Sequence, residues 1–302
     1  MEITKILDFE NKGLRMIVEG HFLYLGSKGA ISKYHLSDMS LVAHTPIKPH
    51  NKKHVYSMLF FSIFDEYIFV SDFCNLHVVQ KEDLQLLYTV RLGENASSDV
   101  LGAIHFDSPN AYINIRNGRI DLFNIYTKKA TQFEISDSSS WANCVVGNRI
   151  YFGTTKGELL EIEKDTLQVI RKVQLTKNMN IYSIAFHNDL LYTTSEKSFK
   201  VVDVNTFELT VLSGVLHSIE ERKLGIHSEA FHSTEANIIG ICNEVFVVAE
   251  LKKIALFDTQ TLELRERFDF PTGYRFLRYA ILSGDKLYGS DEHGIYCRLL
   301  RW

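Results

Sequence analysis

Residues Trp141–Leu175 read WANCVVGNRIYFGTTKGELLEIEKDTLQVIRKVQL. Four short apolar-rich runs are separated by Gly147-Asn148, Thr155-Lys156-Gly157 and Lys164-Asp165-Thr166, which are turn chemistry. Val145, Ile150, Phe152, Leu159 and Ile162 sit in runs where apolar and polar residues alternate, the period of half-buried strands. Gly157 falls where a tight turn wants a positive φ. A four-stranded meander of this kind has an apolar surface on each face and cannot bury either alone. It needs like neighbours stacked against it.

Those neighbours are in the chain. Variants of the same phrase occupy Leu14–Ile47, Tyr56–Leu92, Leu101–Ile135 and Ile181–Leu212. A sixth is clear from Asn243 to Phe270, and a seventh, Phe276–Trp302, stops after three strands. Equivalent central turns fall at Gly29, Asn75, Gly118, Gly157, Ser198, Lys253 and Gly294, separated by 46, 43, 39, 41, 55 and 41 residues. Spacings of roughly 40–50 residues are those of four-stranded propeller blades. The long interval marks an insertion near residues 213–235. Residues 1–10 form one strand with no partner before them, and the seventh phrase lacks one strand. The orphan strand therefore completes the last blade and closes the ring, leaving no edge there to protect. The expected fold is all-β: one seven-bladed β-propeller domain over residues 1–302.

On these residues the chain resembles the WD40 and YVTN/quinoprotein-like β-propellers over nearly its whole length. GSDEHGIYCRLL (289–300) and VSDFCNLHVV (70–79) resemble the WD40 second-to-third-strand turn, with Asp72 and Asp291 in the place of its structural Asp. KVVDVNTFEL (200–209) and ALFDTQTLEL (255–264) resemble the YVTN third-to-fourth-strand turn. No Gly-His/Trp-Asp pairing recurs, so the hydrogen-bonded tetrad of WD40 blades is not expected. The resemblance implies a binding face where the second-to-third-strand turns meet the blade-to-blade loops, around a channel mouth. It does not choose among the scaffolds and enzymes that share the fold.

Composition narrows the classes. The chain has 302 residues, 45% hydrophobic and 23% charged, with 20 Phe and 14 Tyr, which suits a β protein with ample core. A net charge of −4 argues against general nucleic-acid or anionic-membrane binding. No apolar run has the length of a membrane span. MEITKILDFENKGL lacks the basic and apolar regions of a secretory signal, and Cys74, Cys144, Cys242 and Cys297 form no CxxC motif. The expectation is a cytoplasmic protein whose thiols are reduced and mostly buried. Asn95-Ala96-Ser97 is a glycosylation acceptor only in a secreted setting.

Four places carry candidate chemistry. The central turns hold Lys28, Arg116, Lys156, Lys197, Lys252 and Lys253 against Asp72, Glu196, Glu250, Asp291 and Glu292, a mixed rim rather than a basic field. The loop KPHNKKH (48–54) is basic through Lys52 and Lys53 and suits an anion or acidic peptide. Its His50 and His54 have metal-ligand spacing only on a helix, which Pro49 disfavours. The insertion SGVLHSIEERKLGIHSEAFHSTEA brings His217, His227 and His232 among Glu220, Glu221 and Glu229 in no standard metal spacing. Ser218 with Glu221 can cap a short helix there, and the expected place of the segment is over the channel mouth. Finally, Tyr56, Trp141, Tyr182 and Arg278, with Tyr274 nearby, fall where innermost strands begin. Trp, Tyr and Arg are the residues of binding hot spots, although aromatics there also serve to pack blades.

No GxSxG, Walker loop, HExxH or GxGxxG occurs, and no cofactor or metal is expected. The expected function is a protein- or peptide-binding scaffold. The alternative is a propeller enzyme or small-ligand binder of the quinoprotein-like or lyase type, its residues drawn singly from several blades.

Overall fold

The structure is a computed structural model; it describes residues 3–8, 15–27, 29–47, 58–72, 74–92, 101–115, 117–195, 198–210, 226–227, 236–250, 252–270, 280–290 and 293–300. Its strands, in chain order, begin with β1 (Thr4–Asp8). The first sheet is β2 (Arg15–Glu19), β3 (Phe22–Ser27), β4 (Ala30–His35) and β5 (Leu41–Pro46). The second is β6 (Met58–Phe64), β7 (Tyr67–Asp72), β8 (Asn75–Gln80) and β9 (Leu86–Arg91). The third is β10 (Leu101–Asp107), β11 (Asn110–Ile115), β12 (Arg119–Asn124) and β13 (Lys129–Glu134). The fourth is β14 (Ser140–Val146), β15 (Arg149–Thr154), β16 (Glu158–Glu163) and β17 (Val169–Gln174). The fifth is β18 (Ile181–His187), β19 (Leu190–Ser195), β20 (Ser198–Asp203) and β21 (Ile226–His227). The sixth is β22 (Asn237–Cys242), β23 (Val245–Glu250), β24 (Lys253–Asp258) and β25 (Leu264–Asp269). The last joins β26 (Ala280–Ser283), β27 (Lys286–Ser290) and β28 (Gly294–Leu299) to β1, in the order β1-β28-β27-β26. Seven antiparallel four-stranded blades, the last completed by the N-terminal strand, make a seven-bladed β-propeller as the repeats predict.

Two compact units divide the chain: residues 1–116, 121–132 and 271–302, and residues 117–120 and 133–270. In the first, Tyr24 and Ile31 pack with Ile68, Val70 and Val79 between the first and second sheets. Phe69 and Leu76 pack with Ile113 and Phe123 between the second and third. In the second, Ile181 and Leu191 pack with Tyr151 and Leu159, and Phe199 and Tyr192 with Phe246 and Phe257. The alternating apolar residues of neighbouring phrases thus bury one another, as an unpartnered meander requires.

The third-to-fourth-strand turns share a device that the word "turn" hides. Met39, Leu84, Lys128, Leu167, Phe207 and Leu262 all have φ between 54° and 62°. The N–H of each donates to the carbonyl four residues back, at 2.8–3.0 Å. Side-chain oxygens of Asn124, Asp203 and Asp258 cap the next two free N–H groups of their turns. A left-handed conformation costs a residue with a side chain about 1–2 kcal/mol. Leu84, Leu167, Phe207 and Leu262 are each at most 5% exposed, and burying such a side chain contributes about 1.5–3 kcal/mol. Burial outweighs the strain, so a Leu or Phe stands where glycine would be easier.

The same turns receive the preceding blade. Lys33 Nζ donates to the carbonyls of Lys81 and Glu82, and the Tyr88 hydroxyl to that of Ile125. Arg171, held by the carboxylate of Glu161, donates to the carbonyls of Val204 and Asn205, and Tyr192 to that of Thr259. Buried hydroxyls add a second tie. Ser183 Oγ lies 2.8 Å from Thr194 Oγ1, Thr194 donates to the carbonyl of Ala236, and Ser183 Oγ accepts from Ile238 N–H.

Gly157 has φ +81°, and a Cβ there would lie 2.5 Å from the Thr176 carbonyl oxygen and 3.0 Å from that of Met179. Its own carbonyl accepts the N–H of Leu175 at 2.9 Å, which ties the exit of β17 to the central turn. Gly157→Ala is expected to cost at least about 2 kcal/mol, from the left-handed conformation plus displacement of residues 176–179. Urea melts of wild type and variant measure it, and a change under about 0.5 kcal/mol would show that the loop yields freely.

Two residues within the insertion pair with β20. Leu209 bridges to Val202 and Thr210 N–H donates to the Val201 carbonyl, while Ile226 and His227 pair with Lys200 and Phe199. The outer edge of β20 is therefore met by Leu209 and Thr210 as well as by β21. Pairing along β20 is thus made by residues on both sides of 211–225, which lie outside the described residues. His217, Glu220, Glu221, Glu229, His232 and the helix expected from Ser218 lie outside the described residues.

Candidate functional site

Trp141 and Tyr182 occupy the same position in neighbouring blades. Ser140 opposes Thr154 and Ala142 opposes Gly153, so Trp141 is the extra residue of a β-bulge. Ile181 opposes Ser195 and Ser183 opposes Thr194, which makes Tyr182 the extra residue of the matching bulge. A bulge turns its side chain out of the strict alternation and bends the strand, which is why bulges recur beside functional positions. The Tyr182 side chain is half-buried.

The register corrects one alignment. In the second blade Met58 opposes Asp72 and Phe60 opposes Ser71, so the residue matching Trp141 and Tyr182 is Leu59. Tyr56 lies three residues earlier, outside the described residues. Placing Tyr56 in that slot needs an extra turn in the second blade, and the pairing of Phe64 with Tyr67 across a two-residue turn leaves no room for one. Counting from the first hairpin turn reaches Leu59, six residues before Asp65 as Trp141 precedes Gly147 and Tyr182 precedes Asn188. By that offset Arg278 matches Gly284, although Arg278, Tyr274, Lys52, Lys53, His50 and His54 also lie outside the described residues.

Charges beside the central turns are engaged locally. Lys156 pairs with Asp137 at 2.7 Å, and its ammonium holds the Asp137 carboxyl below the usual carboxylate range. Lys253 pairs with Asp269 at 2.7 Å. Glu250, expected on the rim, is instead buried at 3% exposure, with Arg267 at 2.9 Å. A carboxylate at the end of an inner strand has left solvent because a guanidinium in the same sheet accompanies it. Lys28, Arg116, Glu196, Lys197, Asp291, Glu292 and the Asp72 side chain are not among the described groups.

The cysteines behave as packing groups. Cys74 is fully buried, and burial pushes the thiols of Cys144 and Cys297 up, away from the reactive thiolate.

No protein-family model matches the chain, and no curated protein does. Solved structures do. A computationally designed protein, Ika8, is 12% identical with a TM-score of 0.67, covering 98% of this chain and 99% of its own. BamB from Moraxella catarrhalis is 12% identical with a TM-score of 0.69, covering 100% of this chain and 98% of its own. The Neurospora crassa Pan2 WD40 domain is 10% identical with a TM-score of 0.68, covering 95% of this chain and 88% of its own. At such identities the likeness establishes a shared fold, and one designed member among the three underlines that the fold carries no function with it.

Proposed function

We propose that this protein is a non-catalytic binding scaffold whose partner is a protein or peptide, engaged around Trp141 and Tyr182. The observation that carries the reading is their shared bulge position in two adjacent blades, β14 and β18. Aromatic side chains on a rigid scaffold offer large contact area and lose little entropy on binding. The basic stretch holding Lys52 and Lys53 is a separate candidate for an acidic peptide. We place the protein in the cytoplasm, which suits four cysteines that form no disulfide.

Affinity capture from native lysate supplies the partner, and titration then measures the site. Trp141→Ala is expected to weaken binding by about 2 kcal/mol or more, roughly 30-fold, in the hot-spot range. Ile150→Ala, in the core at 1% exposure, serves as the stability control, for which about 2–5 kcal/mol is usual. If Trp141→Ala binds normally yet melts like the core variant, Trp141 is a packing residue and the reading fails. A stoichiometric metal or a quinone absorption band in the purified protein would favour the enzymatic alternative.

A further inference from the structure

A second surface gathers aromatic side chains at the opposite ends of the second and third blades, within the first compact unit. Phe64 and Tyr67 face each other across the Asp65-Glu66 turn. The Phe64 ring stacks on Phe106 with centroids 4.9 Å apart, which brings in the turn that starts at Asp107. Tyr88 donates to the Ile125 carbonyl at 3.1 Å, which fixes the next residue, Tyr126, beside the same group. Tyr126 is 69% exposed, the most exposed large hydrophobic side chain among the described residues. The Tyr67 hydroxyl is hydrogen-bonded to Glu66, and that bond, with burial and the nearby Glu66, Tyr126 and Tyr88, raises its pKa. Nothing in the core requires an aromatic at Tyr126, because the backbone of its turn is already capped by Asn124.

Carboxylates outnumber cations around these rings. Asp65, Glu66 and Asp107 are exposed at the two hairpin turns. Lys81 N–H donates to the Glu66 carbonyl at 2.8 Å, which sets the exposed Glu82 and Asp83 alongside. Three nearby cations are engaged within the chain: Lys81 pairs with Glu19 at 3.2 Å, the Lys128 ammonium sits 4.3 Å from the Tyr88 ring centroid, and Lys33 donates to the carbonyls of Lys81 and Glu82, while Lys129 is exposed beside Lys128. Exposed phenol faces ringed by carboxylates attract guanidinium and ammonium groups through both cation–π and ionic terms. Lys128 over Tyr88 is that interaction made within the chain.

We propose that the surface built on Tyr126, Tyr67 and the Phe64–Phe106 stack, with Asp65, Glu66 and Asp107 at its edge, docks an arginine- or lysine-rich peptide segment of a partner protein. It is separate from the site around Trp141 and Tyr182, and each stands or falls alone.

The test uses the full chain and a fluorescent peptide of alternating Arg and Gly, with an equal-length Glu-Gly peptide as control. The Arg peptide is expected to bind at low salt and the Glu peptide not. Tyr126→Ala should weaken binding about fivefold, the size of an exposed cation–π contact. Asp65→Asn combined with Glu66→Gln should weaken it about tenfold and flatten its salt dependence. Asp165→Asn combined with Glu263→Gln removes the same charge from exposed positions elsewhere and should leave binding unchanged. Trp141→Ala should also leave it unchanged. The proposal is overturned if the Arg peptide binds no better than the Glu peptide, if Tyr126→Ala has no effect, or if the distant charge pair weakens binding as much as the local one.

Discussion

Removing residues 1–8 lowers the melting temperature by about 10 °C and leaves the protein prone to aggregate. The strand that would be lost, β1, pairs Thr4 with Cys297, Lys5 with Tyr296, Leu7 with Ile295 and Asp8 with Gly294. Its Ile6 and Leu7 pack against Met16, Leu23 and Ile295, so one short strand covers β28 and seals the first blade to the last. Both side chains are half-buried, which at about 25 cal/mol per Å² of apolar surface is worth roughly 2–3 kcal/mol for the pair. The lost ladder brings the total to about 3–4 kcal/mol. A domain of some 150–250 residues loses about 2–4 °C per kcal/mol, and this one is larger, so about 10 °C is the expected drop. Aggregation follows because β28 would present an unpaired edge. Scanning calorimetry and light scattering on the truncated and full chains measure both effects. Unchanged melting would mean that the last blade holds without its N-terminal strand.

Phe246→Ala is expected to be the most damaging single substitution considered, at about 3–5 kcal/mol. Phe246 is fully buried in the second compact unit, with its ring 4.5 Å from Tyr192 and 6.0 Å from Phe199. Phe199 in turn meets Phe257 edge-on at 5.2 Å. Deleting the ring removes the central member of an aromatic cluster built from β19, β20, β23 and β24. Strands paired on both sides cannot close the cavity by sliding, so the loss should fall near the upper end of the range. The expected signature is a lower urea midpoint with an unchanged slope, since the surface exposed on unfolding is nearly the same. A cost below about 1 kcal/mol would show that the cluster relaxes around the gap.

Blade number, strand order within blades and closure by a strand within residues 1–10 were legible in the linear chain. Their signals are local: alternation of period two, Gly147-Asn148 and Lys164-Asp165-Thr166 between runs, and a missing strand at one end matched by a spare at the other. The equivalence of Trp141 and Tyr182 was also visible, because both stand at one distance from a hairpin turn. Leu59 was missed because an extra turn in the second blade carries the slot to Tyr56.

Other features depend on neighbours distant in sequence. Whether Leu167 or Phe207 takes a left-handed turn is set by the apolar pocket waiting for it, because burial has to exceed the strain. Glu250 reads as a rim acid until Arg267, from a strand two places on, is found beside it. The outer edge of β20 is met by Leu209-Thr210 and by Ile226-His227, which only the hydrogen-bonding groups of β20 bring into line. Phe64, Tyr67, Phe106 and Tyr126 come from two blades and share no motif. Alternation tells each residue which face of its own strand it occupies. Which groups meet across two faces is decided when the sheets stack, by the register and packing of side chains far apart in the chain.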